Sequence, residues 1–233
     1  MAPLVPSPLL LRGEVDVRGR MPWSSNGTYL AELSCDGDTM LAVYKPGRGE
    51  RPLWDFPRGL YRREAAAFAL SELLGFHCVP ETIVRDGPLG EGSMQRFVPH
   101  DPEQHHFTLV EDERWHPQLQ AMAVLDAIAN NTDRKSGHCL LDADGRIWGI
   151  DNGLCFHPDP KLRTVIWEWA GEPLPDDLLA GVDTLVEALP AGLEVFLDGE
   201  ELDALRRRAE LLLRRRRFPL PSPDGRCWPW PLV

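Results

Sequence analysis

Long apolar runs are missing: no stretch of about 18 apolar residues occurs, so no segment is expected to span a membrane. The opening MAPLVPSPLLLRGEV has Leu9-Leu10-Leu11 but no basic region before it and no long apolar one, so it does not read as a secretory signal. Cysteine is scarce. The five present (Cys35, Cys78, Cys139, Cys155, Cys227) are odd in number and unpatterned, which points to a reducing cytoplasm. Positive charge is in deficit, with 25 basic against 36 acidic residues and a net charge of −11. Such a balance argues against binding to nucleic acid and against stable association with an anionic membrane. What remains is an ordinary globular composition, 43% hydrophobic and 26% charged over 233 residues. That is enough chain for one large or two small lobes with a real core.

The stretch with most chemistry runs from Val124 to Phe156. It reads as the end of an apolar helix (Gln118 to Ala129), a polar loop Asn130-Asn131-Thr132-Asp133-Arg134, a strand Cys139 to Leu141, a turn at Asp144-Gly145, a strand Ile147 to Ile150, and then Asp151-Asn152-Gly153. Two aspartates thus flank a hairpin. An aspartate before the first strand can orient a hydroxyl nucleophile, and one after the second can hold magnesium on nucleotide phosphates. The same pattern also suits a plain hairpin whose aspartates are solvated caps. Asp126, on the helix before the loop, reads as a support for it, with an exposed helical residue as the alternative.

Upstream, Leu11 to Val17 reads as a strand after a Pro-rich start. The turn Ser24-Ser25-Asn26-Gly27-Thr28 leads into a strand at Tyr29 to Leu33, and Asp36-Gly37-Asp38 turns into Met40 to Lys45, completing a meander of three antiparallel strands. The Ser-Ser-Asn-Gly-Thr turn is either hairpin punctuation or a nest that presents N–H groups and hydroxyls to phosphate. Lys45 ends its strand ahead of Pro46. The loop from Gly47 to Gly59, with Arg48, Arg51, Arg58, Trp54 and Phe56, is long enough to be functional or mobile. A helix follows over Tyr61 to Leu74, with Gly75 as its C-cap and Glu64 in its first turn, where the helix dipole alone would favour a carboxylate. Two further strands, Thr82 to Arg85 and Gly92 to Val98, surround a Gly-rich turn. His100, His105, His106 and His116 fit no common zinc spacing, and Cys139 and Cys155, beside His138 and His157, read as small buried strand residues. Helices are expected over Asp176 to Ala188 and Gly199 to Arg217. The second is Arg-rich over 205–217 and reads as a docked terminal helix, with contact to a membrane or to an acidic protein partner as the alternative. The tail from Phe218 to Val233 is expected to pack back on the surface.

Tyr44-Lys45-Pro46, Asn131-Thr132-Asp133-Arg134 and Ile150-Asp151-Asn152-Gly153-Leu154 resemble the motifs of type II phosphatidylinositol 4-kinases and their bacterial relatives, within the phosphatidylinositol 3/4-kinase-like superfamily. HipA-type kinases are more distant cousins. The likeness spans roughly residues 20 to 157. It implies an α+β, two-lobed protein-kinase-like fold: an extension and first strand over 1–19, an N-lobe of antiparallel sheet plus one helix over 20–99, and a mainly helical C-lobe over 100–233. It also implies roles. Ser24, Ser25, Asn26, Gly27 and Thr28 would cover the phosphates of ATP, Lys45 would neutralise them with Glu64 as its ion-pair partner, and Gln95, Arg96, Phe97 and Val98 would border the adenine. Asp133 would orient or deprotonate the acceptor, Arg134 would compensate charge beside it, and Asp151 would bind Mg²⁺. Relatives usually carry an asparagine where this chain has His138. Imidazole is a poorer partner for Mg²⁺, so His138 would bind Mn²⁺, contact phosphate, or mark a chain that only binds nucleotide.

The expected activity is ATP-dependent phosphoryl transfer to an unidentified hydroxyl on a protein or small molecule. The chain lacks the Cys-rich lipidation segment and positive charge expected for a lipid acceptor. The alternatives are a nucleotide-binding pseudokinase and an enzyme of this fold that transfers AMP.

Overall fold

The computed structural model describes residues 6–22, 24, 26–189, 192–223 and 225–233. The chain separates into a unit of residues 1–65 and 80–97 and a second of residues 66–79 and 98–233.

The first unit opens with α1 (Pro8–Arg12) and β1 (Glu14–Arg20), which corrects the strand expected over Leu11 to Val17. Ser7 caps the helix by accepting the N–H of Leu9 at 3.3 Å, and Pro8 occupies its first turn. Leu10 is fully buried. Gly13 is required by close approach, because a Cβ there would lie 2.4 Å from Leu9 O. β2 (Tyr29–Cys35) and β3 (Asp38–Pro46) complete the antiparallel meander. α2 (Leu60–Leu73) follows, its residues up to Ala65 counted in this unit and the rest in the second. β4 (Thr82–Gly87) and β5 (Gly90–Arg96) fill out a five-stranded sheet of order β1-β2-β3-β5-β4. Alternate residues on its strands, Ala31 and Leu33, Ala42 and Tyr44, Ile83 and Met94, share one face and pack with Leu10 into a small core.

In the second unit α2 ends at Gly75 (φ +71), whose N–H bonds Glu72 O while that of Phe76 bonds Ser71 O, the Schellman pattern. After the short α3 (His106–Leu109) comes α4 (His116–Ala129), the hub of the core, with ten of its 14 residues buried. β6 (Cys139–Leu141) and β7 (Ile147–Gly149) form the hairpin in the register Cys139–Gly149, Leu140–Trp148, Leu141–Ile147. Gln118 of α4 grips it from both sides, donating to Gly145 O at 3.0 Å and accepting from Ile147 N at 2.8 Å. α5 (Asp176–Ala188) and α6 (Gly199–Arg215) close the core. A reciprocal capping box of Asp198 and Glu201 starts α6.

The arginines at the end of the chain are used locally. Arg206 donates to Val186 O and Leu189 O, and Arg208 to Ile128 O and His157 O, so a cation meets the carbonyl end of α4. The helix is docked, as its sequence suggests. The tail also returns to the surface of this unit. Cys227 O accepts Thr164 N at 3.1 Å and Trp167 Nε1 at 3.2 Å, and Leu232 O accepts Ser136 N at 2.8 Å.

Candidate functional site

Lys45 stands at the exit of β3, opposite Ser93 of β5, and forms an ion pair with Glu64. Glu64 is buried one turn into α2, because the helix starts at Leu60 and no acidic residue lies in its first turn. The helix dipole therefore does not explain this carboxylate. Lys45 does.

The turn before β2 is folded inward. Ser24 Oγ and Thr28 Oγ1 lie 2.7 Å apart, Gly27 N donates to Gly49 O at 2.9 Å, Thr28 N donates to Asn26 O at 3.0 Å, and Asn26 Oδ1 accepts Arg51 N at 3.0 Å. Both N–H groups at its tip are thus engaged, which differs from an open nest. Ser25 lies outside the described residues. Gln95 is buried with its Nε2 on Thr82 Oγ1 at 2.8 Å, and Phe97 N reaches Leu41 O at 3.0 Å. Arg96 is exposed and Val98, counted in the second unit, is buried.

The second unit assembles the loop and the turn after β7 around one buried ion pair. α4 stops at Asn130 in the left-handed region (φ +53), which asparagine tolerates. Asn130 holds the segment after the hairpin, donating from Nδ2 to His157 O and Asp159 O. Asn131 links both sides: its Oδ1 accepts Asp133 N at 3.0 Å and its Nδ2 reaches Asp126 Oδ1 at 2.9 Å. Arg134 points away from Asp133 into the core. Its Nε and Nη2 bind the Asp126 carboxylate, Nη1 donates to Ile150 O at 2.7 Å, and Nη2 also reaches Asn152 Oδ1 at 2.7 Å. The side chains of Arg134 and Asp126 are 0% and 1% exposed. Thr164 Oγ1 completes the set at 3.3 Å from Asp126. Every group near this buried charge is hydrogen-bonded, as low dielectric requires.

This frame presents Asp133 and Asp151. Burial pushes the Asp133 carboxyl up to about 6; the Lys135 ammonium, 3.4 Å away, opposes that, and the negative charge of Asp151 adds to it. Asp151 sits half-exposed at φ +58. A cation would relieve the repulsion between these carboxylates. Magnesium is commonly held by one or two carboxylates with substrate phosphates and water, and the oxygens of Asp151 and Asp133 fit that need. His138 fits less well. Its Nδ1 accepts Lys135 N at 3.3 Å, which assigns the ring proton to Nε2, and Nε2 faces Asp151 Oδ2 at 3.6 Å.

The other histidines and cysteines form no such constellation, and no group of three or more potential metal-binding side chains occurs among the described residues. His100, His105, His106 and His116 go to four separate partners: Val98 O, Ser136 Oγ, Glu168 and Val110 O. Cys139 and Cys155 are buried, and burial pushes the Cys139 thiol up to about 12. No helix among the described residues is long and apolar enough to cross a membrane. Sequence reasoning missed Thr164 and gave no role to Asn152. Asn152 was visible as part of the Ile-Asp-Asn-Gly motif, whereas Thr164 carried no signal.

The model of the family "Phosphatidylinositol 3- and 4-kinase" matches residues 71–193. Protein Rv2133c of Mycobacterium tuberculosis is 40% identical, over 96% of this chain and 94% of that protein. Phosphatidylinositol 4-kinase gamma 4 of rice, Oryza sativa subsp. japonica, is 28% identical over 69% of this chain but only 35% of its own length. Among solved structures, hydra Fam20 with sugar superposes with a TM-score of 0.54 at 16% identity, covering 87% of this chain and 84% of that one. The Golgi casein kinase with Mn/ADP bound superposes with a TM-score of 0.51 at 15% identity, covering 87% and 72%. These likenesses establish a kinase-like fold.

Proposed function

Since the chain belongs to the phosphatidylinositol 3- and 4-kinase family, and is in general terms a kinase-type phosphotransferase, we propose that it transfers the γ-phosphoryl group of ATP to a hydroxyl on a protein or small molecule. The observation that carries this reading is Asp133: a carboxyl raised to about 6, beside Asp151, on a loop fixed by a buried ion pair.

In this reading Asp133 accepts the proton of the acceptor hydroxyl as its oxygen bonds to the γ-phosphorus. The bond from that phosphorus to the bridging oxygen breaks, and ADP leaves. Lys45, held by Glu64, neutralises phosphate charge. Asp151 would hold Mg²⁺, which would offset the negative charge of the phosphates, while Asp133 stays free to act as base. Arg134 is a positioning residue, because its guanidinium joins the loop to Ile150 and Asn152 on either side of Asp151. His138 Nε2 lies 3.6 Å from Asp151 Oδ2 and is left out of the metal shell.

A second reading has one observation in its favour. The His138 ring competes with a metal for Asp151, as it would in a pseudokinase that binds nucleotide without turnover. Labelled ATP tested with protein, small-alcohol and phosphatidylinositol acceptors separates the two. Transfer abolished by Asp133→Asn supports the kinase, a lipid product would reassign the acceptor, and ATP binding without any transfer would leave the pseudokinase.

A further inference from the structure

A groove in the first unit lies outside everything assigned above. Arg48, Arg58 and Arg62 line it together with Glu50, Tyr61 and Glu91. Its two carboxylates are already committed. Glu50 accepts Gly59 N at 2.9 Å and Tyr61 N at 2.8 Å, capping the start of α2, and Glu91 takes the Tyr61 hydroxyl and Arg62 Nη2. Arg48 and Arg58 have no carboxylate partner among the described residues. The groove thus holds three guanidiniums against two carboxylates, a local excess of positive charge in a chain whose net charge is −11.

The loop that bounds the groove is held at both ends and apolar at its tip. Gly49 packs against Gly27, where a Cβ would meet backbone at 3.0 Å, and Phe56 is buried with the Arg63 guanidinium 5.7 Å from its ring centre. Between these anchors stand Leu53, 40% exposed, and Trp54, 94% exposed. A loop anchored at Gly49 and Phe56 that exposes Leu53 and Trp54 between the exposed Arg48 and Arg58 in sequence has the composition of a binding hot spot.

We propose that this surface binds an acidic segment of a partner protein, with carboxylates on Arg48 and Arg58 and an apolar side chain against Leu53 and Trp54. The guanidinium fork matches carboxylate geometry. A nucleic acid is disfavoured because its long phosphate run would meet the acidic remainder of the chain, whereas a short acidic segment brings its charge only to the groove. The proposed surface uses no residue to which phosphoryl transfer was assigned above and stands whether or not that reading holds.

The test is fluorescence anisotropy of the full chain with a dye-labelled synthetic peptide that alternates glutamate with leucine and phenylalanine. Comparators are the same peptide with lysine for glutamate, and phosphatidylcholine vesicles with and without phosphatidylserine. Binding of the acidic peptide should weaken as salt rises from about 50 to about 300 mM. It should fall about tenfold in Trp54→Ala and at least about tenfold in the Arg48→Glu/Arg58→Glu double variant, which should instead gain affinity for the lysine peptide. All three residues are exposed, so unchanged thermal melting separates lost binding from lost folding. No binding by the wild type, equal binding by the variants, or capture by phosphatidylserine vesicles without peptide binding would overturn the proposal.

Discussion

Replacing Arg134 by methionine tests the site at its centre. The change removes the guanidinium from a fully buried position, and with it three contacts to Asp126 and the bonds to Ile150 O and Asn152 Oδ1. Among the described residues Asp126 then keeps Asn131 Nδ2 and Thr164 Oγ1, too little for a carboxylate that is 1% exposed. Breaking a buried pair in this way costs about 3–5 kcal/mol. In a chain of this length that corresponds to a melting midpoint lower by roughly 10 °C. Urea unfolding measures the loss directly. The companion variant is Asp126→Leu/Arg134→Met, which removes both charges and should regain part of the stability, the rest being lost because Ile150 O, Asn152 Oδ1 and Asn131 Nδ2 give up a partner. Phosphate transfer should stay down by about a hundredfold in both, because the loop of Asp133 and the turn of Asp151 are no longer tied together. An Arg134→Met protein within about 1 kcal/mol of wild type would refute this account, as would a double variant no more stable than the single one.

Asp133 sets the pH dependence. Its folded carboxyl lies near 6 against an ordinary 3.8, so the folded protein holds this proton more tightly than the unfolded chain. The stability contribution of this residue is full below about 3.8 and is lost as pH rises through about 6, while a base must be deprotonated, so transfer should rise over that interval; a pH profile of kcat/KM checks it. ATP with Mg²⁺ at about 100 times its Kd should stabilise the wild type by about 2.7 kcal/mol, and a thermal-shift assay should show that gain disappear in Asp151→Asn. Gly92→Ala would push a Cβ to 2.4 Å from Lys45 O and 2.6 Å from Pro46 Cα. It should cost about 1–3 kcal/mol in urea unfolding and weaken ATP binding, because the exit of β3 carries Lys45.

The sequence made the hairpin, the meander and the α5 helix readable because each is fixed by neighbours: turn residues between apolar alternation, or a helical period with caps. The same holds for the placement of Asn130 and Gly75 at helix ends. The short α1 was signalled by Ser7-Pro8, a cap followed by a first-turn proline, but the apolar alternation through Val17 masked it. The direction of Arg134 was not readable. Its partner Asp126 lies eight residues back and Thr164 joins from 38 residues beyond Asp126, so only the folded chain decides whether the guanidinium faces Asp133 or the core. Glu64 was placed correctly as a partner of Lys45 by resemblance, whereas helix-end reasoning alone had offered the dipole instead.

The left-handed backbone at Asp151 acts as a filter on mutation. At φ +58 a β-branched or bulky residue is strained and alanine is disfavoured, while asparagine and glycine enter this region readily. An alanine variant therefore mixes loss of the carboxylate with strain in the turn, and asparagine isolates the chemistry. The same filter constrains divergence: a descendant that gave up metal binding but kept this fold would find its least strained routes through Asn or Gly at position 151.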